Sequence, residues 1–437
     1  MNLYITDVGR WQKIAGSLHP PREGWGAVPH RRRRVYEQCE ARDQHRRRGV
    51  LPTARPRWPP TTNLLELQVP RPAGIRPNIF KKTILAISSV EVGMNPLTFP
   101  VHLLLAIMTN TTISAIGRKR FGFYLDKLQS ILDKANDSDT PAQTLYELDG
   151  RTPLFMLEAL CRMYEKLHNK KIFNKLKAHF KLLEDMLGAV DYYDEFYNEV
   201  AADKKITPTI KKYLQSQTEE KLAELDKVLA DKGWVRSDNE RMEKITSKLK
   251  KVDWLDEAED TDAVKKQYGK SIEDIVTLIT SKEIDFDNVE EDVHELRRQL
   301  RWLSIYAQCF NGLFQLDNSE KPTAAQEKYL SEEIVNSPYN KMPSKGELSE
   351  TINLDANSFY ALSWLIDKLG SLKDNGLKIM ILAEAIAATS KASDEEAMQQ
   401  AYKLCGTQQM KMDDILAVAK KESNLFFEED VLGKLIA

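Results

Sequence analysis

The residues best spaced for chemistry lie in one short run, Val293-His294-Glu295-Leu296-Arg297-Arg298-Gln299-Leu300-Arg301-Trp302. His294, Arg297, Arg298 and Arg301 stand at i, i+3, i+4 and i+7, which is one face of a helix. Leu296, Leu300 and Leu303 mark the opposite, core-facing stripe. Guanidinium groups this close repel one another unless an anion lies across them. Their planar forks suit phosphate, because each donates two parallel hydrogen bonds and stays charged. The competing reading is a solvated basic face balanced by Glu290, Glu291, Asp292 and Glu295.

Further cations extend the anion reading. Lys170, Lys171, Lys175, Lys177, His179 and Lys181 are clustered, and Lys171, Lys175 and His179 share a helical face. Arg118, Lys119 and Arg120 form another group, and Lys373 and Lys378 a third. The expected polyanion site is therefore His294, Arg297, Arg298 and Arg301, joined by Lys171, Lys175 and Lys373. On that expectation Arg298→Glu weakens anion binding.

A second constellation points to metal chemistry. Glu165-Lys166-Leu167-His168 and Glu291-Asp292-Val293-His294 both read E-x-x-H. Two such pairs on facing helices, with further carboxylates, build di-metal sites in helical bundles. The alternative site is thus Glu165, His168, Glu291 and His294. Against it, Arg297 and Arg298 sit where they would repel a dication. No Gly-rich phosphate loop, H-E-x-x-H motif or G-x-S-x-G elbow occurs in the sequence. The expectation is a protein that is not an enzyme and needs no cofactor.

The His–Arg run resembles the signature helix of the CHAD family, the conserved histidine α-helical domains. Leu369-Gly370-Ser371-Leu372-Lys373-Asp374 is similar to that family's Leu-Gly-x-x-basic-Asp segment. An earlier relative spans Leu182 to Asp194 and holds Leu187-Gly188-Ala189-Val190-Asp191, with Asp191 in the basic slot. The resemblance covers about residues 150–200 and 286–390. It implies two pseudo-repeated helical bundles around a basic groove, and inorganic polyphosphate as the ligand. The helix from Thr152 to His168 departs from the family in lacking a His–Arg ladder.

Composition divides the chain. Residues 1–107 hold 17 Lys and Arg against 7 Asp and Glu, and 12 of the 18 prolines. Residues 108–437 hold 46 basic and 58 acidic residues, a net of −12. Arg31 to Arg34, Arg46 to Arg48 and the Pro-rich stretch from Pro52 to Pro60 carry no sustained period. Residues 1–107 read either as a disordered basic arm or, the preferred reading, as a gene-model artefact ahead of a start at Met108. Residues 84–107 contain Glu91, His102, Pro96 and Pro100, so they lack the roughly twenty clean apolar residues of a bilayer span. The expectation is a soluble, cytoplasmic protein with no membrane contact. Cys39, Cys161, Cys309 and Cys405 are scattered, with no C-x-x-C pair.

The elements that must position these groups read almost entirely as helix, so the expected fold is all-α from 108 to 437. The halves are about 150–205 and 286–390, with a charged helical insertion at 207–282 between them that also offers a docking surface for a protein partner. The pattern predicts helices from Ala115, from Thr152 to His168, and from Phe173 to Leu187 with Gly188 as the stop. The signature helix starts at an Asn288–Glu291 cap and ends at Asn311-Gly312. Further helices are expected at Ser358–Gly370 and Leu377–Ala388, after a capping box at Ser393–Glu396, and between Asp413 and Leu435.

Overall fold

The computed structural model describes residues 115–235, 240–281, 284–406 and 410–436. The readings of residues 1–107 lie outside them. Helix makes up 73% of the described residues, so the fold is all-α as expected. The helices are α1 (Ile116–Asn136), α2 (Pro141–Glu147), α3 (Arg151–Leu167), α4 (Lys170–Val200), α5 (Pro208–Asp231), α6 (Glu240–Leu249) and α7 (Glu257–Thr280). A π-helical turn, Val289–His294, leads into α8 (Glu295–Cys309). Short helices α9 (Ala324–Glu327) and α10 (Glu332–Val335) follow. Then come the long α11 (Ala356–Thr389), α12 (Asp394–Cys405) and α13 (Met412–Glu428).

Two helices are buried on nearly every side. In α3, Leu154, Leu157, Leu160, Cys161 and Tyr164 are fully buried, and α1, α4, α7 and α8 pack around it. In α11, Phe359, Leu362, Leu365, Leu369 and Ile379 are fully buried beneath α5, α8, α12 and α13. Helices that are apolar all round are core helices, and here they serve as two centres. Helix α8 touches both, packing on α3 and α11, whereas α5 packs on α11 and on α4.

Caps explain most helix starts. Asn169, Thr207 and Asp256 each accept backbone N–H groups at the starts of α4, α5 and α7. Ser393 and Glu396 form the expected capping box. Asn288 accepts from Glu290 and Glu291 as expected, but the reciprocal acceptor is Asp292, not Glu291. Asn311 and Gly312, both at positive φ, end α8, and Gly406 at φ 88° ends α12.

Two expected stops are not stops. Helix α4 runs through Gly188 and α11 through Gly370 and Gly376 without a break. Each Leu-Gly glycine lies instead under an arginine from another helix. A Cβ added at Gly188 would meet Arg151 Nη2 at 2.7 Å, and one at Gly370 would meet Arg297 Nε at 2.8 Å.

The helices between residues 207 and 281 contribute to the core. Leu225 and Leu229 on α5 and Tyr268 on α7 are fully buried. Each of these helices packs on the central elements: α5 on α4 and α11, α7 on α3, α8 and α13. The only sheet among the described residues is a parallel pair, β1 (Phe314–Asp317) and β2 (Ile352–Asp355), in register Phe314 with Ile352. Leu354 also bridges Ile436 near the end of the chain.

Candidate anion-binding site

The signature face of α8 is turned partly inward, with Arg297 buried and Arg298 exposed. Arg297 is 2% exposed and donates from Nε to the Ile366 carbonyl on α11 at 3.2 Å. It fits there because Gly370, one turn further along α11, has no side chain to occupy the space. Asp367 lies beside it. Burial and the nearby Glu333 push the Asp367 carboxyl up to about 6, with Arg297 opposing the shift. Arg301 lays its guanidinium over the Phe155 ring of α3, 4.7 Å from the centroid. Arg298 pairs with Glu295 at 2.5 Å.

His294, Arg298 and Lys373 do converge, but around a carboxylate of the chain itself. His294 Nδ1 lies 3.4 Å from Glu290 Oε1. Burial works against the Glu290 carboxylate, yet His294, Lys373 and Arg298 hold it below the usual range. Lys373 is nearly buried and pairs with Asp374 at 2.9 Å. The anion that these cations need is thus supplied internally.

Lys171 and Lys175 stand elsewhere. Arg301 and Trp302 of α8 meet Phe155, whereas Phe310 meets Tyr164, so α3 and α8 run in the same general direction. His294 precedes this contact and His168 follows it. At 1.5 Å per residue the two histidines are roughly 20–30 Å apart. Lys171 and Lys175, in the first turns of α4 just after His168, lie at the far end with it. The seven expected site residues therefore do not line one groove.

The same separation removes the metal constellation. Glu165 pairs with Lys177 at 2.6 Å. His168 stacks on Tyr164, with ring centroids 5.4 Å apart, and meets Trp254 edge-on. No group of three or more His, Cys, Asp or Glu among the described residues is placed to hold a metal ion.

At the Lys175 end a different cluster forms. Lys175 and His179 are one turn apart on α4. Arg241, at the start of α6, donates from Nε to the Lys232 carbonyl at 2.8 Å and so caps the end of α5. That bond aims Arg241 Nη1 at His179 Nε2, 3.4 Å away. Lys248 on α6 and Lys232 after α5 complete the group. Burial, then Arg241, Lys248, Lys175 and Lys232, push the His179 imidazole down to about 4. Burial and the charges of Lys175, Arg241 and Lys244 likewise lower the Lys248 ammonium. The charges felt most strongly by His179 are all positive, and they come from three helical segments. Lys175 is exposed and Lys171, one turn earlier, is exposed as well. Sequence spacing identified the Lys171–Lys175–His179 face, but Lys232, Arg241 and Lys248 reach it only through tertiary packing.

A buried polar knot lies near the same end of α3. Arg120 of α1 pairs with Asp260 of α7, and Tyr164 of α3 bonds both, at 2.7 Å from Arg120 and 2.8 Å to Asp260. All three are essentially inaccessible. Arg120 also lies 4.9 Å from the Phe310 centroid. This knot ties three helices together beneath the surface and offers no entry to a ligand.

No helix among the described residues is long and apolar enough to cross a membrane. Comparison of the chain with known families, with characterised proteins and with solved structures gives no match.

Proposed function

We propose that this chain is a non-enzymatic polyanion-binding protein, with inorganic polyphosphate as the leading ligand. The observation that carries the reading is the convergence of Lys175, Lys232, Arg241 and Lys248 on His179. Clustered positive charge held at a protein surface is an electrostatic sink for phosphate, even on a chain whose residues 108–437 are net negative. Arg241 is fixed by its bond to the end of α5, so one guanidinium is already in place when a ligand arrives. Lys171 and Lys175 extend the positive strip along α4.

The α8 face supports the reading less than its sequence suggests. Its cations are already engaged with Glu290, Glu295, Phe155 and the α11 backbone. The proposed ligand surface is therefore on α4 and α6.

Titration of the protein with polyphosphate chains of graded length tests this function. Affinity should rise with length until the α4–α6 strip is covered, then level off. Binding should weaken steeply with added salt, because each phosphate contact releases counterions. Absence of binding at low salt, in a folded sample, removes the proposal.

A further inference from the structure

His179 is more than a neighbour of the cations. Arg241 can only donate, so the lone pair of His179 Nε2 faces the guanidinium and the ring proton sits on Nδ1. That is the neutral imidazole. The groups facing it are Lys175 from its own helix, Lys232 from the end of α5, and Arg241 and Lys248 from α6. No carboxylate is among those acting on it most strongly, so the strongest charges around the ring oppose its protonation.

We propose that polyanion binding at this cluster is coupled to protonation of His179, so that the site holds its ligand more tightly in acid. The inference rests on the polyanion reading above. A phosphate lying across Lys175, Arg241 and Lys248 replaces a positive field by a negative one. It also draws the Arg241 fork towards its own oxygens, which frees Nε2. The imidazole, held down to about 4 in the free protein by burial and by its cationic neighbours, then titrates near the ordinary histidine range.

The direction follows from linkage. The complex binds one more proton than the free protein between these two pKa values, so acidification favours the complex. The logarithm of the association constant should fall by up to about one per pH unit across that window. It should flatten at higher pH, where the ring is neutral in both states. Arg241 keeps its charge throughout this range.

The test uses long-chain polyphosphate at constant ionic strength. Its interior phosphates stay ionised and its titrating ends are few. Affinity of the wild-type protein should increase on the order of tenfold from about pH 7.5 to about pH 5.5. His179→Gln should bind, with a nearly flat pH profile. Calorimetry of the wild type in two buffers of different ionisation enthalpy provides a second readout that needs no variant: binding near pH 6 should take up a fraction of one proton. Binding with a flat wild-type profile and no proton uptake overturns the coupling and leaves the polyanion reading standing. An unchanged slope in His179→Gln also overturns it, by assigning the proton elsewhere. No binding at any pH removes both.

Discussion

Arg297 lies against Gly370, so that a Cβ at that position would stand 2.8 Å from its Nε. Arg151 and Gly188 repeat the relationship on the other long helix. Arg151 bonds Glu184 four residues before its glycine and Asp191 three residues after it. Arg297 bonds the Ile366 carbonyl four residues before its own glycine. In both places a mid-helix glycine opens a seat for a guanidinium from a neighbouring helix.

Gly370→Ala should destabilise the protein by roughly 1–3 kcal/mol through overpacking, because Arg297 is buried and has nowhere to move. Gly188→Ala should cost less. Arg151 is slightly exposed and meets the added carbon with its far end, and alanine gains up to about 1 kcal/mol of helix propensity over glycine. Chemical denaturation of the two variants compares them directly. Equal losses would mean that the two seats are equally rigid.

Removing Arg297 should leave Asp367 without its strongest opposing charge. Arg297→Met keeps most of the packing volume and should cost roughly 2–4 kcal/mol at pH 8. The deficit should shrink towards pH 5. The Asp367 carboxyl already stands at about 6 in the folded protein, above its unfolded value. A raised folded pKa favours the native state at low pH and loses that contribution as pH rises through it. The variant raises that pKa further and so moves the loss to higher pH. Denaturant midpoints at the two pH values read the difference, and a deficit that grew in acid would contradict the assignment.

The Arg120–Asp260 pair should behave as a unit. Asp260→Ala strands a buried guanidinium and should cost about 3–5 kcal/mol. Arg120→Met with Asp260→Leu should cost much less than the sum of the single changes, since no buried charge is left behind. Additive losses in the double-variant cycle would show that the two groups do not act together.

His179 should also set part of the acid stability of the free protein. Its folded pKa lies below its unfolded value. On acidification the unfolded chain takes up the proton first, so stability falls between about pH 6.5 and about pH 4. The ring is only partly buried, so after solvent screening the effect should be about 1 kcal/mol. His179→Gln should flatten this part of the stability profile, and a variant as acid-sensitive as the wild type would count against it.

The all-helical architecture was legible because apolar periodicity survives wherever a helix has one buried face. Capping residues such as Asn288 and Ser393 mark starts that the structure keeps, whereas the cap at Asn169 opens a helix that the pattern predicts only from Phe173. The failures share one cause. Gly188 and Gly370 read as stops because glycine is a poor helix former, yet both are places where another helix comes close. Periodicity gave the α8 arginines an exposed face, because a helical wheel does not show that Gly370 and Phe155 wait opposite Arg297 and Arg301. Charge spacing along one segment found Lys175 and His179. It had no way to find Lys232, Arg241 and Lys248, which arrive from other helices.

The proposed ligand surface lies on α4 and α6 and not on the arginine face of α8. The most direct measurement is the salt dependence of polyphosphate binding by the wild type, by Lys175→Glu with Lys248→Glu, and by Arg298→Glu. The double variant should lose most of its affinity, and its plot of log affinity against log salt should be shallower by roughly two contacts. Arg298→Glu should bind like the wild type. Loss of binding in Arg298→Glu with full binding in the double variant would contradict the account and return the site to the α8 face.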